Sequence, residues 1–145
     1  MKLTAEIFYS EPTIEADARA ILGLYRRHYA GADIKSEEIE ALFEDNTAIV
    51  ARDIRGRIVG IIFLSEVSML RRKFVTLHDT MTLNWIKRDA LALKIFKVLI
   101  EKAIWYSKES GFGVAHVPFV ANPNDSWFPK HFKFKQEGLD FILPL

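Results

Sequence analysis

Hydrophobic and polar positions along the chain follow two periods, one typical of strands and one typical of helices. Alternating or β-branched apolar runs predict strands at Leu3–Tyr9, Thr47–Arg52, Ile58–Val67, Phe74–Leu83, Val114–Ala121 and Leu139–Leu143. Apolar residues at helical spacing predict helices over about Ile14–Tyr29, Glu37–Glu44, about Arg88–Lys108 and, as a short helix or turn, Trp127–Phe132. The predicted order is β-α-α-β-β-β-α-β-α-β, which indicates an α/β fold with a central mixed sheet flanked by helices.

Turn and capping residues set the limits of several predicted elements. The segment Asp53-Ile54-Arg55-Gly56 predicts a hairpin between the second and third strands. Ser36 is expected to cap the second helix, whose first turn carries acidic residues where the helix dipole favours them. Gly111 and Gly113 are expected to end the long helix. Because that helix makes a long crossover, its two flanking strands are predicted to pair in parallel.

The fourth predicted strand has one polar face and one apolar face. The polar face carries Thr76, His78, Thr80 and Thr82. The apolar face carries Val75, Leu77, Met81 and Leu83, interrupted by Asp79. A histidine on such a polar face is a candidate for proton transfer, because imidazole titrates near neutral pH.

Composition narrows the class of protein. The chain has 145 residues, which predicts a single domain over 1–145 with a sizeable core. The net charge is +1, so no overall field favours nucleic acid or a membrane surface. The absence of cysteine excludes a disulfide scaffold and a thiolate metal site. No segment is long and apolar enough for a signal peptide or a membrane span, so we expect a cytoplasmic protein that does not enter a membrane.

The other charged residues indicate a solvated surface more than a binding site. Two basic groups, Arg71–Lys73 and the set Lys130, Lys133 and Lys135, would contact phosphates in a functional reading, but such groups more often form a solvated surface. Nucleic acid is therefore not the expected partner. The four histidines are not at metal-ligand spacings, so no metal site is predicted.

The loop that opens the long helix carries a phosphate-binding pattern. It reads Lys-Arg-Asp-Ala-Leu-Ala over 87–92, so a basic residue is followed by two small residues two positions apart. This spacing resembles the cofactor loop R/Q-x-x-G-x-G/A of the GNAT superfamily of N-acetyltransferases, with Lys87 at the basic position and Ala90 and Ala92 at the small positions. In such a loop, backbone N–H groups at a helix N-terminus bind a pyrophosphate.

A second pattern and the order of elements carry the same resemblance over nearly the whole chain. The segment Asn122–Phe134 keeps the length of the GNAT pattern N-x-x-A-x-x-L-Y-E-x-x-G-F, with Asn122, Phe128 and Phe134 at the Asn, Leu and final Phe positions. Pro129 stands where the family often has a Tyr that protonates the leaving thiolate, and Lys133 stands where it has Gly.

The resemblance implies that acetyl-CoA is the cofactor and that it enters where the fourth and fifth strands part. The strand end would bind the pantetheine arm through backbone hydrogen bonds, and backbone amides near Leu83 would polarise the thioester carbonyl. The cofactor-binding residues it implies are Met81, Thr82, Leu83, Lys87, Arg88, Asp89, Ala90, Leu91, Ala92 and Asn122.

Acyl transfer to an amine also needs a base with a pKa near neutrality. His78 is the first candidate, acting directly or through water, with His116 on the adjoining strand and Glu66 and Asp79 as further candidates. The alternative interpretation is that His78 and His116 are hydrogen-bonded strand residues without a catalytic task.

Two functions follow from these patterns. The first is an acetyl-CoA-dependent N-acetyltransferase that acts by direct transfer on an amine of a small molecule or protein. The alternative is a catalytically inactive protein with the same fold that serves as a binding or interaction module, as Asp89 in the phosphate loop and Pro129 suggest. The short C-terminal end leaves a sheet edge that a partner would complete, which is compatible with a homodimer.

Overall fold

The fold is described by a computed structural model over residues 2–29, 31–69, 72–84, 89–117, 131–138 and 140–145. Within this part of the chain the elements are, in order, β1 (Thr4–Phe8), α1 (Glu15–His28), α2 (Ser36–Glu44), β2 (Thr47–Arg52), β3 (Ile58–Met69), β4 (Arg72–Thr82), α3 (Ala90–Glu109), β5 (Val114–Val117), β6 (Lys135–Glu137) and β7 (Asp140–Pro144). The seven described strands form one sheet in the order β1-β2-β3-β4-β5-β7-β6. Only β4 and β5 pair in parallel, so the predicted mixed sheet and crossover are confirmed.

Two hydrophobic cores lie on opposite faces of this sheet. Along β2, Ile49 and Ala51 pack in the core that includes α3, whereas Ala48 and Val50 pack in the core that includes α1 and α2. Successive strand residues point to opposite faces, so the helices cover opposite faces of the sheet. We name these the α3 face and the α1/α2 face.

Helix α3 lies unusually close to the sheet at Gly60 of β3. A Cβ atom built on Gly60 would lie 2.5 Å from Cγ2 of Ile95 and 3.1 Å from Cδ1 of Leu99. Both of these α3 side chains are fully buried, so neither can move aside into solvent. The absence of a side chain at Gly60 therefore fixes how closely the helix approaches the strand.

A β-bulge interrupts β4 near its C-terminal end. Two residues of β4, Asp79 and Thr80, lie opposite the single residue Ile62 of β3. Asp79 has a φ angle of 50°, in the left-handed region that aspartate tolerates better than most residues. After the bulge, Met81 packs on the α1/α2 face while Leu77 packs on the α3 face. The prediction that Met81 and Leu77 share a face is wrong, because an extra residue resets the strand alternation.

Element ends differ from the sequence-based predictions at a few places. Ser36 is the first residue of α2 rather than its cap. The N-cap is Lys35, whose backbone N–H donates to the side chain of Glu38 at 3.1 Å. The predicted hairpin is confirmed, with the N–H of Asp53 donating to the carbonyl of Arg57 at 3.0 Å. Strand β6 was not predicted, because its three residues are all polar and exposed. The end of the predicted fifth strand, at 118–121, and most of the predicted helix at 127–132 lie outside the described residues.

Candidate active site

Strands β4 and β5 pair in parallel over a short segment. Their pairing joins Phe74–Thr76 to Val114–His116, and the last pair is Thr76 with His116. Val117 is the last residue of β5 that the structure describes, and residues 118–130 lie outside the described part of the chain. The parting of the fourth and fifth strands beyond this segment therefore stays a prediction.

His78 is held by hydrogen bonds at both ring nitrogens. Its Nδ1 lies 2.7 Å from Oδ2 of Asp79, and its Nε2 lies 3.2 Å from Oδ1 of Asn46. The amide of Asn46 is oriented by its own Nδ2, which donates to the carbonyl oxygen of Leu42 at 2.7 Å. Both groups that face the ring are therefore acceptors, and both bonds form together only when each ring nitrogen carries a hydrogen. The ring also stacks on Phe63, with centroids 6.2 Å apart.

The bulge beside His78 is anchored from helix α1. The buried hydroxyl of Tyr25 donates a hydrogen bond to the backbone carbonyl of Asp79. Burial raises the pKa of Tyr25 well above its usual value of 10.0, and the negative charge of Asp79 adds to the shift. Tyr25 therefore stays protonated at neutral pH and acts as a permanent donor to the bulge.

His116 forms a second polar group on the same face of the sheet. Its Nδ1 lies 3.4 Å from the hydroxyl oxygen of Thr76, and its Nε2 lies 3.4 Å from Oδ2 of Asp140 on β7. A neutral ring with its hydrogen on Nε2 satisfies this arrangement, because the Thr76 hydroxyl donates to Nδ1 while Nε2 faces the carboxylate. His78 lies two residues after Thr76 along β4, so both histidine groups occupy the α1/α2 face.

Glu66 lies on the other face of the sheet. Its Oε1 accepts a hydrogen bond of 2.9 Å from the hydroxyl of Tyr106, a residue of α3. Burial is the main cause that raises the pKa of Tyr106, and the carboxylate of Glu66 raises it further. The structure therefore does not bring Glu66 together with His78 and His116.

As far as the structure describes them, the predicted cofactor-binding residues lie at the end of β4 and at the beginning of α3. Met81 and Thr82 are buried at the end of β4, and Leu83 follows at the start of the loop. Ala90, Leu91 and Ala92 form the first turn of α3. Lys87, Arg88 and Asn122 lie outside the described residues.

The backbone groups of Leu83 are both hydrogen-bonded within the chain. Its N–H donates to the carbonyl of Val59 at 2.9 Å, and its own carbonyl accepts from the hydroxyl of Thr82 at 3.0 Å. The expectation that backbone amides near Leu83 polarise a thioester stays a prediction, and it concerns other amides than that of Leu83 itself. The bulge at Asp79 and Thr80 is the place where the backbone of β4 leaves the regular ladder.

The N-terminus of α3 is capped by a carboxylate of the chain itself. Oδ1 of Asp89 accepts the backbone N–H of Ala92 at 3.0 Å, and Oδ2 accepts from Nδ2 of Asn84 at 2.9 Å. Asp89 therefore takes up the N–H of Ala92, one of the backbone donors at this helix end that an anion could use. The basic residues of the same loop, Lys87 and Arg88, lie outside the described residues.

Comparison with solved structures shows that this is the GNAT acetyltransferase fold. An acetyltransferase from Streptococcus agalactiae has 15% identity and a TM-score of 0.69, with 97% of this chain and 98% of that chain covered. The NatC complex bound to Gag peptide and CoA has 14% identity and a TM-score of 0.73, covering 100% of this chain and 99% of that chain. A GNAT family acetyltransferase from Brucella melitensis in complex with acetyl-CoA has 18% identity and a TM-score of 0.63, covering 97% and 88%.

The sequence alone gives no match of this kind. No protein-family model matches the chain, and a search of curated proteins finds no match. At these identities the likeness to solved structures establishes the fold. The predicted resemblance to the GNAT superfamily is therefore confirmed for the fold.

Three residues of the site were not predicted, namely Tyr25, Asn46 and Asp140. Tyr25 lies on the buried face of α1, and its ring packs in the core. Asn46 and Asp140 each lie at the margin of a strand, where polar residues are usual. The local sequence carries no signal for them, because their partners are 32 and 24 residues away along the chain.

The described residues contain neither a cluster of metal-ligating side chains nor a helix that could span a membrane. In that part of the chain, no group of three or more metal-ligating side chains comes together. No helix there is long and apolar enough to cross a membrane.

Proposed function

We propose that this protein transfers an acetyl group from acetyl-CoA to an amine of a small molecule or of a protein. The supporting observation is the polar group of Thr76, His116 and Asp140 beside the parallel pairing of β4 and β5, in a fold shared with acetyltransferases. The end of β4 would hold the pantetheine arm in extended form. Acetyl-CoA would supply the activated acetyl group as a thioester, and the chain would position the amine beside it.

His116 would remove the proton from the amine. Its Nδ1 is free of a hydrogen when Nε2 faces Asp140, so the ring can accept a proton directly or through the hydroxyl of Thr76. The imidazolium that forms would be stabilised by the carboxylate of Asp140 at 3.4 Å. This role differs from the sequence-based preference for His78 as the base.

His78 would act as a donor rather than as a base. Both of its nitrogens face oxygen acceptors, Asp79 on one side and Asn46 on the other. In this arrangement the ring would donate hydrogen bonds beside the bulge, where negative charge develops on the thioester oxygen during attack. The proposal therefore keeps a catalytic role for His78, but as a hydrogen-bond donor and not as the base that the sequence predicted.

The experiment is to incubate the purified protein with labelled acetyl-CoA and a panel of polyamines, aminoglycosides and peptides with free N-termini. Transfer is read by mass spectrometry of the acceptor and by release of the thiol. We expect at least one amine to be acetylated, with a rate that falls about 100-fold in His116→Ala. No acetylated amine from the panel, with acetyl-CoA shown to bind, would contradict the proposal.

One observation favours a second candidate, a binding module without catalysis. The carboxylate of Asp89 fills the first turn of α3, where an anionic ligand would otherwise bind. The two candidates are separated by thermal unfolding, since a ligand that binds only the folded state raises Tm. An unchanged Tm at saturating acetyl-CoA together with no transfer would favour the binding module.

A further inference from the structure

We propose that a cleft between α1 and α2 binds an organic ammonium ion whose apolar part is about the size of a benzene ring. The cleft is lined by residues of these two helices and of the loop that joins β1 to α1. The inference goes beyond the proposed function, because binding in this cleft is independent of acetyl transfer.

The first argument is the shape and the apolar lining of the cleft. Its volume is about 170 Å³, and the buried side chains of Ile21, Ile39 and Phe43 form its floor. The half-buried side chains of Pro12 and Leu22 line its sides. An apolar cavity of about 150 Å³ is large enough to bind benzene, so this cleft can take a group of that size.

The second argument is charge. The cleft is also lined by the exposed residues Glu11 and Glu40, and none of the described residues that line it is basic. In the described part of the chain, neither carboxylate belongs to an ion pair. A cation in the cleft would therefore gain two charged partners without displacing an existing one. The dipole of α2 does not oppose this, since Glu37 and Glu38 already lie in its first turn.

The third argument is that two aromatic rings separate the cleft from the candidate active site. The ring of Phe43, in the floor of the cleft, packs edge-on against Phe63 with centroids 5.0 Å apart. Phe63 in turn stacks on His78 at 6.2 Å. Neither His78 nor His116 is among the described residues that line the cleft. A ligand bound here would therefore not occupy the place of the reacting amine.

The test measures the binding of three probes that share one ring and differ in charge, with no acetyl-CoA present. The probes are benzylamine, which is a cation at neutral pH, benzyl alcohol, which is neutral, and benzoate, which is an anion. Dissociation constants come from NMR titration of the protein. The methyl signals of Leu22 and Ile39 report on the cleft directly, because both side chains line it.

Two kinds of variant test the charge and the shape of the cleft separately. Glu11→Gln and Glu40→Gln each remove one carboxylate, and the matched control is Glu44→Gln, an exposed position of α2 that does not line the cleft. Ala18→Trp fills the cleft from an exposed position of α1. Its control is Ala16→Trp, which adds the same side chain at an exposed position of α1 outside the cleft. Circular dichroism of each variant checks that the helices remain folded.

In the wild-type protein we expect benzylamine to bind with a dissociation constant of about 1 mM, benzyl alcohol to bind about 5-fold or more weakly, and benzoate to bind more weakly still. Glu11→Gln and Glu40→Gln should each weaken the binding of benzylamine about 3-fold and leave that of benzyl alcohol unchanged. Glu44→Gln should change neither. Ala18→Trp should abolish the shifts of the Leu22 and Ile39 signals, whereas Ala16→Trp should preserve them.

Three results would overturn the inference. The first is equal binding of benzylamine, benzyl alcohol and benzoate. The second is binding of benzylamine that is the same in Ala18→Trp and in Ala16→Trp. The third is the absence of any shift of the Leu22 and Ile39 signals with benzylamine at up to about 20 mM. No readout uses acetyl-CoA or acetyl transfer, so each of these results would leave the proposed function as it stands.

Discussion

The two faces of the sheet are built on different principles. On the α3 face, fully buried apolar side chains from the helix and from β2, β3 and β4 form one continuous core. On the α1/α2 face, the apolar core ends near Phe63, and a row of partly exposed polar residues continues across β4, β5 and β7. The row comprises Thr76, His78, His116 and Asp140. We infer that stability comes mainly from the first face and that chemistry belongs to the second.

The largest expected effect is on the α3 face. Leu99 is fully buried between α3 and the sheet. Replacing it by alanine leaves a cavity and should lower the free energy of unfolding by about 3 kcal/mol, measured by urea denaturation. The matched control is Leu93→Ala in the same helix, where the side chain is 37% exposed. A loss below about 1 kcal/mol is expected there, and equal losses at both sites would contradict the distinction between the faces.

The second effect is on the polar residues of the α1/α2 face. It should lower the rate of acetyl transfer and leave the free energy of unfolding nearly unchanged. His116→Ala should reduce acetyl transfer about 100-fold, while the free energy of unfolding changes by less than about 1 kcal/mol. Asp140→Asn should have a smaller effect on the rate, because the imidazolium formed on His116 then lacks the neighbouring carboxylate. If His116→Ala lowers the free energy of unfolding but leaves the rate of acetyl transfer unchanged, this assignment is wrong.

The third effect concerns the close contact at Gly60. Adding a methyl group there places Cβ 2.5 Å from Cγ2 of buried Ile95, so α3 must shift away from β3. We expect Gly60→Ala to lower the free energy of unfolding by about 2 kcal/mol. Gly23→Ala in α1 is the control, because nothing lies within 4 Å of the added atom. That change should be neutral or stabilising by up to about 1 kcal/mol, from helix propensity.

The smallest expected effect is a pH-dependent stabilisation by an ion pair on the α1/α2 face. Arg52 donates two hydrogen bonds of 2.9 Å to Asp17, and these hold the pKa of Asp17 below its usual value of 3.8. Because the pKa is lowered in the folded state, the stabilisation is present above the unfolded-state pKa and is lost as pH falls through the folded-state value. Asp17→Asn should therefore cost about 1 kcal/mol at neutral pH.

Urea denaturation of Asp17→Asn and wild type at neutral pH and near about pH 2 checks this sign, because the difference between them should shrink in acid. Glu15→Gln is the matched control. Glu15 lies in the same helical turn and pairs with Arg19, but its side chain is 84% exposed. Its substitution should have little effect at either pH. A difference for Asp17→Asn that grows in acid would show that the pair does not stabilise the folded state.

Much of the fold could be predicted from the local sequence, because periodicity reports which face of an element is buried. The bounds of β2 were predicted to the residue, and the long helix agreed within about two residues, the usual uncertainty of helix ends. The site could be predicted only in part. His78 and His116 were identified from their strand positions, but the direction of each hydrogen bond depended on Asn46 and Asp140, which the chain brings in from elsewhere.

The sequence by itself determined the order of the elements from β1 to β5, the parallel crossover through α3 and the candidate histidines. Each of these follows from residues close together in the chain. Only the tertiary structure decided the bulge at Asp79 and the placing of Glu66 on the opposite face. Only it showed that Asp89 caps α3 through Ala92 and Asn84. The physical reason is that a hydrogen bond depends on angstrom-scale distances between groups, and these are set when distant segments pack together.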